Sequence, residues 1–141
     1  MQLALTLCPL PAVLCAGMAF GQDGPQVVDG KGAAVQVPSG QTVTLQDVIW
    51  NVPGPDGMAT RFRFVAQGIA GAVDFDTAAA DMGHLCETFA LPRLTEFGPQ
   101  PEQVVISLSD RAVVFGDSAP DAVQFFESYR IKDGKCVWEM F

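Results

Sequence analysis

The sequence SYRIKDGKCVWEM, residues 128–140, holds Asp133-Gly134 at its centre. Asp-Gly is a preferred pair for a two-residue turn of the primed type, so this stretch predicts a β-hairpin. In the register set by that turn, Ile131 lies opposite Cys136. One face of the hairpin then carries Tyr129, Ile131, Cys136, Trp138 and Met140. The pattern therefore predicts that the side chain of Cys136 points into the core.

A second apolar pattern lies earlier in the chain and has helical spacing. We predict a helix over residues 77–90 with Asp76 as its N-cap. Its buried side carries Ala78, Met82, Leu85, Cys86 and Phe89. We expect the opposite side to be exposed, with Asp81, His84, Glu87 and Thr88. Cys86 is therefore also predicted to point into the core.

Two β-rich runs, residues 42–52 and 60–66, flank the turn-forming sequence PGPDG at 53–57. They predict another hairpin. In its second strand Arg61-Phe62-Arg63-Phe64 alternates strictly between charged and aromatic residues. Because neighbouring residues of a strand point to opposite faces, we place both phenylalanines in the core and both arginines on the other face.

The remaining chain supplies a central strand and a short helix. The apolar run at 103–109 is typical of a strand covered on both faces, with residues 111–115 as its returning partner. A helix start at 118–121, with Pro120 in the first turn, leads into Phe125 and Phe126. The predicted fold is therefore α+β, a mostly antiparallel sheet with one main helix packed on a face and a second short helix.

Residues 1–21 have the composition of a secretory signal peptide. An uncharged apolar run over residues 3–20 ends in small residues, and cleavage fits after Ala19 or after Gly21. A membrane anchor is the alternative, but the run only just reaches the ~18–20 residues that a spanning helix needs. We predict export to the periplasm, with no stable membrane insertion after the leader is removed.

Removal of this leader also removes Cys8 and Cys15, so the mature chain keeps only Cys86 and Cys136. In an oxidising compartment two core-facing cysteines predict one disulfide, and two separate buried thiols are the alternative. Residues 22–40 are rich in Gly and Pro and are interpreted as a flexible N-terminal segment with one short edge strand. Residues 41–141 are interpreted as a single α+β domain.

Composition and charge exclude several classes of function. The chain has 141 residues, too few for a two-domain enzyme, and its 16 acidic against 8 basic residues give a net charge of −8. Such a surface repels the phosphate backbone, so we expect no nucleic-acid partner. The sequence lacks a Gly-rich phosphate loop and a dinucleotide fingerprint, so we expect no cofactor.

The sequence gives little support to a catalytic or metal site. The single histidine, His84, has no Gly-x-Ser-x-Gly nucleophile to serve, and its acidic neighbours in the predicted helix cannot converge with it on one ion. We therefore predict no catalytic residue and no metal site. The alternative is a small carboxylate-dependent hydrolase, which needs Asp74, Asp76 and Asp110 in one cleft.

Two surface features are candidate binding sites. Arg61 and Arg63, alone or beside Arg130 from another strand, are suited to hold an anion or the carboxylates of a partner. Trp50 leads into a rigid Pro-Gly-Pro tip that includes Asp56 and makes a candidate recognition loop. Solvated strand arginines and a plain surface turn are the alternatives to these two interpretations.

Four runs carry a resemblance to known proteins: TLQDVIW (44–50), RFRFV (61–65), VISLSDR (105–111) and CVWEMF (136–141). They resemble a small family of exported alphaproteobacterial proteins of unknown function, over nearly all the mature chain. The resemblance implies periplasmic residence and supplies no catalytic residues. Relatives sometimes carry the label acetolactate synthase, which does not fit this chain, because it is too short and lacks the Gly-Asp-Gly motif of thiamine-diphosphate enzymes.

These observations predict a non-catalytic periplasmic module that binds a ligand or another protein. Its partner is expected to be an envelope protein or a small ligand, and the sequence leaves its specificity open.

Overall fold

The computed structural model of this protein describes residues 24–140 together with Ala12. The predicted cleavage sites, the alternative membrane anchor and Phe141 lie outside the described residues. Within the described part of the chain, no helix combines the length and the apolar character needed to cross a membrane. The segment interpreted as flexible, 22–40, is described from Gly24 onward.

The described residues form seven strands, which belong to one sheet. They are β1 (Gln26–Asp29), β2 (Ala34–Val35), β3 (Val43–Gly54), β4 (Gly57–Val65), β5 (Gln103–Ser109), β6 (Gln124–Lys132) and β7 (Lys135–Glu139). The order across the sheet is β1-β3-β4-β5-β6-β7, and β2 pairs with β3 beside β1. Both short N-terminal strands are therefore attached to the long strand β3.

The helical part of the fold lies between β4 and β5. A short 3-10 turn at Gln67–Ala70 precedes helix α1 (Phe75–Leu85), which continues into a π-helical turn at Cys86–Ala90 and a 3-10 turn at Leu91–Glu96. This long connection crosses one face of the sheet and brings the chain back in the same direction. β5 consequently pairs with β4 in parallel.

The predicted fold class is wrong on two points. The sheet is mixed rather than mostly antiparallel, because β4 and β5 run parallel. The second helix is not present in the described chain, since residues 118–123 form turns and Gln124–Lys132 is strand β6. The antiparallel partner of β5 is β6, and residues 111–115 form a loop instead of the predicted returning strand.

The local hairpin predictions are confirmed. β6 and β7 pair around Asp133-Gly134, with Ile131 opposite Cys136 as expected. β3 and β4 form the other hairpin, and Phe62 and Phe64 are fully buried. The predicted apolar face of the last hairpin is buried only in part, because Trp138 on the edge strand is 55% and Met140 after it 81% exposed.

The core lies between α1 and one face of the sheet. The helical side chains predicted to be buried are all buried, and Phe89 packs edge-on against Phe62 and Phe64. Cys86, at the end of α1, forms a disulfide with Cys136 in β7, with the two Cα atoms 6.2 Å apart. The predicted bridge is therefore confirmed, and it ties the helical layer to the edge of the sheet.

Two details of the predicted helix are wrong. The helix begins earlier than expected and its N-cap is Asp74, which accepts a hydrogen bond from the Thr77 amide at 2.9 Å. Asp81 is fully buried rather than exposed. Its carboxylate accepts hydrogen bonds from the Ser39 amide, the Ser39 hydroxyl and the Gln41 side-chain amide. The segment before β3 therefore folds over the helix and supplies these donors.

Replacing both cysteines, Cys86→Ala with Cys136→Ala, is expected to lower the free energy of unfolding by about 2–5 kcal/mol, because the bridge restricts the unfolded chain. Urea unfolding followed by circular dichroism measures the change. A reductant is expected to reproduce the loss in the wild type and to leave the double variant unaffected. Equal stability of the two proteins without reductant would contradict a structural bridge.

Replacing the buried carboxylate, Asp81→Asn, is expected to lower the free energy of unfolding by about 1.5–3 kcal/mol, since an amide turns an NH2 group toward converging donors. Asp76→Asn is the matched control, because Asp76 is an exposed residue of the same helix. Thermal unfolding of both variants decides the point. Comparable midpoints would show that Asp81 contributes no more than a surface acid.

Candidate functional site

The face of the sheet opposite α1, called here the open face, carries the strand residues that alternate with the core residues. Arg61 and Arg63 project from β4 onto this face, because Phe62 and Phe64 point to the core. The pairing of the central strands aligns Arg63 with Ser107 of β5, and Ser107 with Phe126 of β6. The predicted position of both arginines on one face away from the core is therefore observed.

A small cavity opens over this part of the open face. Its volume is about 170 Å³, and its lining residues are Arg61, Arg63, Ser107, Gln124 and Phe126. Cavities for drug-sized ligands are typically 300–1,000 Å³. This cavity is therefore sized for one functional group or a small molecule, and guanidinium, hydroxyl and amide groups line it. We call it the arginine pocket.

Arg63 is already paired within the protein. Its Nε and Nη2 atoms each lie 2.7 Å from one carboxylate oxygen of Asp47, in a bidentate ion pair. The two side chains are only 12% and 10% exposed, so water screens the pair little. The Phe115 ring lies over the guanidinium at 5.8 Å. Arg63 is thus held in place and its charge is neutralised.

Arg61 lacks such a partner among the described residues. Its Nε atom is buried and makes no hydrogen bond to the described protein. Burial lowers the pKa of the Arg61 guanidinium, and the neighbouring Arg63 lowers it further. Both causes act against the charged form, so Arg61 is a cation in a place that disfavours a cation.

The other four arginines are all engaged, which sets Arg61 apart. Arg63 binds Asp47, Arg111 binds Asp110, and Arg130 binds Glu139. Arg93 donates to the Phe89 carbonyl and lies on the ring of the same residue. Among the arginines of the described chain, Arg61 is therefore the one with a buried Nε atom that has no hydrogen-bond partner.

Two serines on the open face also have unmet hydrogen-bonding capacity. The hydroxyls of Ser109 and Ser128 are buried and have no partner in the described protein. Ser109 follows Ser107 on the same side of β5, and Ser128 follows Phe126 on the same side of β6. Buried polar atoms normally have a hydrogen-bond partner, so two buried serine hydroxyls without one are unusual on a single face of a sheet.

One wall of the open face is a loop that sequence reasoning missed. Gln46 binds both backbone groups of Val113 through its side-chain amide, and Val113 is buried. At the base of the same loop, Asp110 accepts hydrogen bonds from Arg111 and from the Val123 amide. These contacts hold residues 110–123 against the sheet. The only signal in the sequence was the turn-forming composition of residues 116–121.

The other predicted binding residues lie at different places. Trp50 packs against Gly98, whose positive φ and closeness to the indole leave no room for a Cβ atom, and it lines a separate cavity with Pro99 and Pro101. Asp56 lies in the β3–β4 turn, 3.4 Å from the side-chain amide of Gln103. Neither residue lines the arginine pocket, and their roles in binding remain predictions.

Arg130 also lies outside the arginine pocket. It lines another cavity together with Asp56 and pairs with Glu139 at 2.5 Å. The sequence allowed Arg130 to act beside Arg61 and Arg63. In the structure Arg130 instead forms an ion pair with Glu139. Of these three arginines, Arg61 is the one without a partner among the described residues.

The candidate carboxylates have local structural partners. Asp74 caps α1, and hydrogen bonds from Thr77 lower the pKa of its carboxyl group. A hydrogen bond from Arg111 does the same for the pKa of Asp110. A general acid needs a raised pKa near the working pH. These two groups are held ionised, which is the opposite of what acid catalysis requires.

Other catalytic groups are also missing from the arginine pocket. His84, the single histidine, belongs to α1 and therefore to the other side of the sheet from Ser107. No three His, Cys, Asp or Glu residues within the described chain are grouped so that they could hold a metal ion. The described residues that line the pocket offer guanidinium, hydroxyl and amide groups, and no histidine or carboxylate is among them.

Comparison with known proteins places the chain in a family without an assigned activity. No curated protein and no solved structure matches the chain. The model of the family described as "Family of unknown function (DUF6497)" matches residues 15–141. The resemblance seen in the sequence is thereby confirmed at the level of a family of unknown function. With all but the first residues matched, the chain belongs to this family, DUF6497.

Proposed function

We propose that this protein is a non-catalytic periplasmic binding module that holds an anionic group at Arg61. The anion belongs either to a small ligand or to an envelope protein. The disulfide between Cys86 and Cys136 supports an oxidising compartment, where such bridges persist. The resemblance to exported alphaproteobacterial proteins and the leader-like residues 1–21 support the same location.

The observation that carries the proposal is the unpaired, partly buried guanidinium of Arg61. A cation without a partner is costly in a place that water reaches poorly, so it is rarely kept for stability alone. An anion seated in the arginine pocket would supply the missing partner and form charge-assisted hydrogen bonds. Ser107 and Gln124, in the same lining, add a hydroxyl and an amide as further donors.

The surrounding charge makes this a short-range site. The protein carries a net charge of −8, so it repels anions at long range. At physiological salt that repulsion is screened over about 8 Å. An anion is therefore held by direct contact with Arg61 rather than collected by the field of the whole surface. This distinguishes the site from the basic patches that bind polyanions.

Direct binding tests the proposal. Acetate, sulfate and inorganic phosphate are titrated separately into ¹⁵N-labelled protein, and the Arg61 Nε–H signal and the Ser107 amide are followed by NMR. At least one anion is expected to give saturable shifts at both groups. Arg61→Gln is expected to weaken that binding at least tenfold, because it removes the cation and keeps a polar side chain.

Arg130→Gln is the matched control, because Arg130 is already paired with Glu139 and lies outside the arginine pocket. It is expected to bind the same anion as tightly as the wild type. The proposal fails if no anion shifts the Arg61 signal, or if Arg61→Gln and Arg130→Gln bind equally well.

The unpaired charge also predicts a conflict between stability and binding. Arg61→Met keeps the long apolar stem and removes the partly buried cation, so it is expected to raise the free energy of unfolding by about 0.5–2 kcal/mol while abolishing anion binding. Urea unfolding in a buffer without small anions measures this. Arg130→Met, which breaks an exposed ion pair, is expected to change stability by less. A clear loss of stability in Arg61→Met would identify Arg61 as a structural residue.

A further inference from the structure

We propose that the arginine pocket selects a singly charged carboxylate attached to an apolar, ring-sized group. This inference rests on the proposed function and specifies its ligand. Its basis is the number of charges at the site, together with the aromatic side chains at its rim.

The charge count favours a single negative charge. Asp47 neutralises Arg63 through two hydrogen bonds of 2.7 Å, so Arg61 supplies the one positive charge left in the pocket. A carboxylate carries one negative charge and balances it. A phosphate monoester carries about −1.5 to −2 at neutral pH and would bring up to one uncompensated charge into a partly buried site.

The donor geometry also suits a carboxylate. A guanidinium offers two parallel N–H groups that match the two oxygens of a carboxylate, and Arg63 already binds Asp47 in this way on the same face. Arg61 lines the pocket, and the terminal nitrogens of its guanidinium offer such a pair. The Ser107 hydroxyl and the Gln124 amide in the lining donate to the outward lone pairs.

Two partly exposed aromatic side chains lie at the rim of the pocket or beside it. Phe126, which lines the pocket, is 54% exposed, and Phe115, which lies on the Arg63 guanidinium, is 39% exposed. Partly exposed aromatic side chains beside a polar group are typical of sites that bind a ring or an alkyl chain next to a charge. A carboxylate on Arg61 would place the body of its ligand against this rim.

Two sources share this chemistry. One is a free small carboxylate, and the other is the carboxylate of a peptide segment with an aromatic neighbour. The experiment includes both, with benzoate as the small probe and a tetrapeptide ending in Phe as the peptide probe. The same tetrapeptide with an amidated end is its control.

The decisive comparison varies the charge of the ligand and leaves the protein unchanged. Benzoate and phenyl phosphate carry the same ring, and a phosphate monoester passes from one to two negative charges near pH 6. Isothermal titration at pH 5.0 and pH 7.5 measures both ligands against wild-type protein. Benzoate is expected to bind with similar affinity at the two pH values. The affinity of phenyl phosphate relative to that of benzoate is expected to fall at least fivefold between pH 5.0 and pH 7.5.

Neutral and small probes test the remaining parts of the proposal. Benzamide is expected to show no binding, and acetate is expected to bind at least tenfold more weakly than benzoate because it lacks the ring. The free tetrapeptide is expected to bind if a peptide is the natural source, with the amidated form inactive. Binding of benzoate but not of the tetrapeptide supports the free small carboxylate.

Failure of this inference is distinguishable from failure of the proposed function. The proposed selectivity is overturned if phenyl phosphate binds as tightly as benzoate at pH 7.5, or if acetate binds as tightly as benzoate. Anion binding at Arg61 would stand in either case. Absence of binding by every anion overturns both. Asp47→Asn adds an independent measurement, because a freed Arg63 raises the charge of the pocket. This variant is expected to raise the affinity for phenyl phosphate relative to that for benzoate at least tenfold at pH 7.5.

Discussion

The packing of α1 and its continuation against a single face of the sheet is the constraint from which the rest of the structure follows. α1 has 11 residues and is therefore about 16 Å long. Six neighbouring strands span about 24 Å. The chain must cross this face between β4 and β5, which makes that pair parallel, and the disulfide to β7 holds the end of α1 at the far edge. The carboxylate of Glu87 also accepts the Cys136 amide of this edge strand.

With one helical layer, the open face has to satisfy its buried polar groups in other ways. An irregularity of β3 between Leu45 and Asp47 accomplishes much of this, since bulges re-aim side chains. After the shift, Asp47 lies opposite Arg63 and pairs with it, while Gln46 reaches Val113 and fastens the covering loop. The same local feature therefore neutralises one arginine and builds a wall beside it. Arg61, opposite the fully buried Ile49, gains no acidic partner from β3.

Local patterns in the sequence were sufficient where the deciding contacts are also local. Asp133-Gly134 set the last hairpin, and strict alternation placed Arg61 and Arg63 on the face away from the core. The sequence predicted that a short helix leads into Phe125 and Phe126, but pairing with β5 makes both residues part of strand β6. Burial of Asp81 depends on donors about 40 residues away in sequence. For the same reason the sequence placed two arginines at the site without showing which of them Asp47 neutralises.

That distinction determines what the site can recognise. Two free arginines would make a strongly positive pocket suited to phosphates, and two paired arginines would make a neutral surface. One paired and one unpaired arginine give a single net positive charge in a setting of low solvent exposure, inside a protein of net charge −8. Because an unbalanced charge is penalised in such a setting, we infer that the ion pair of Asp47 and Arg63 sets the charge of the proposed ligand without needing to touch it. In this proposal, selectivity follows from the number of charges left over, and the partly exposed ring of Phe126 in the lining contributes the apolar part of recognition.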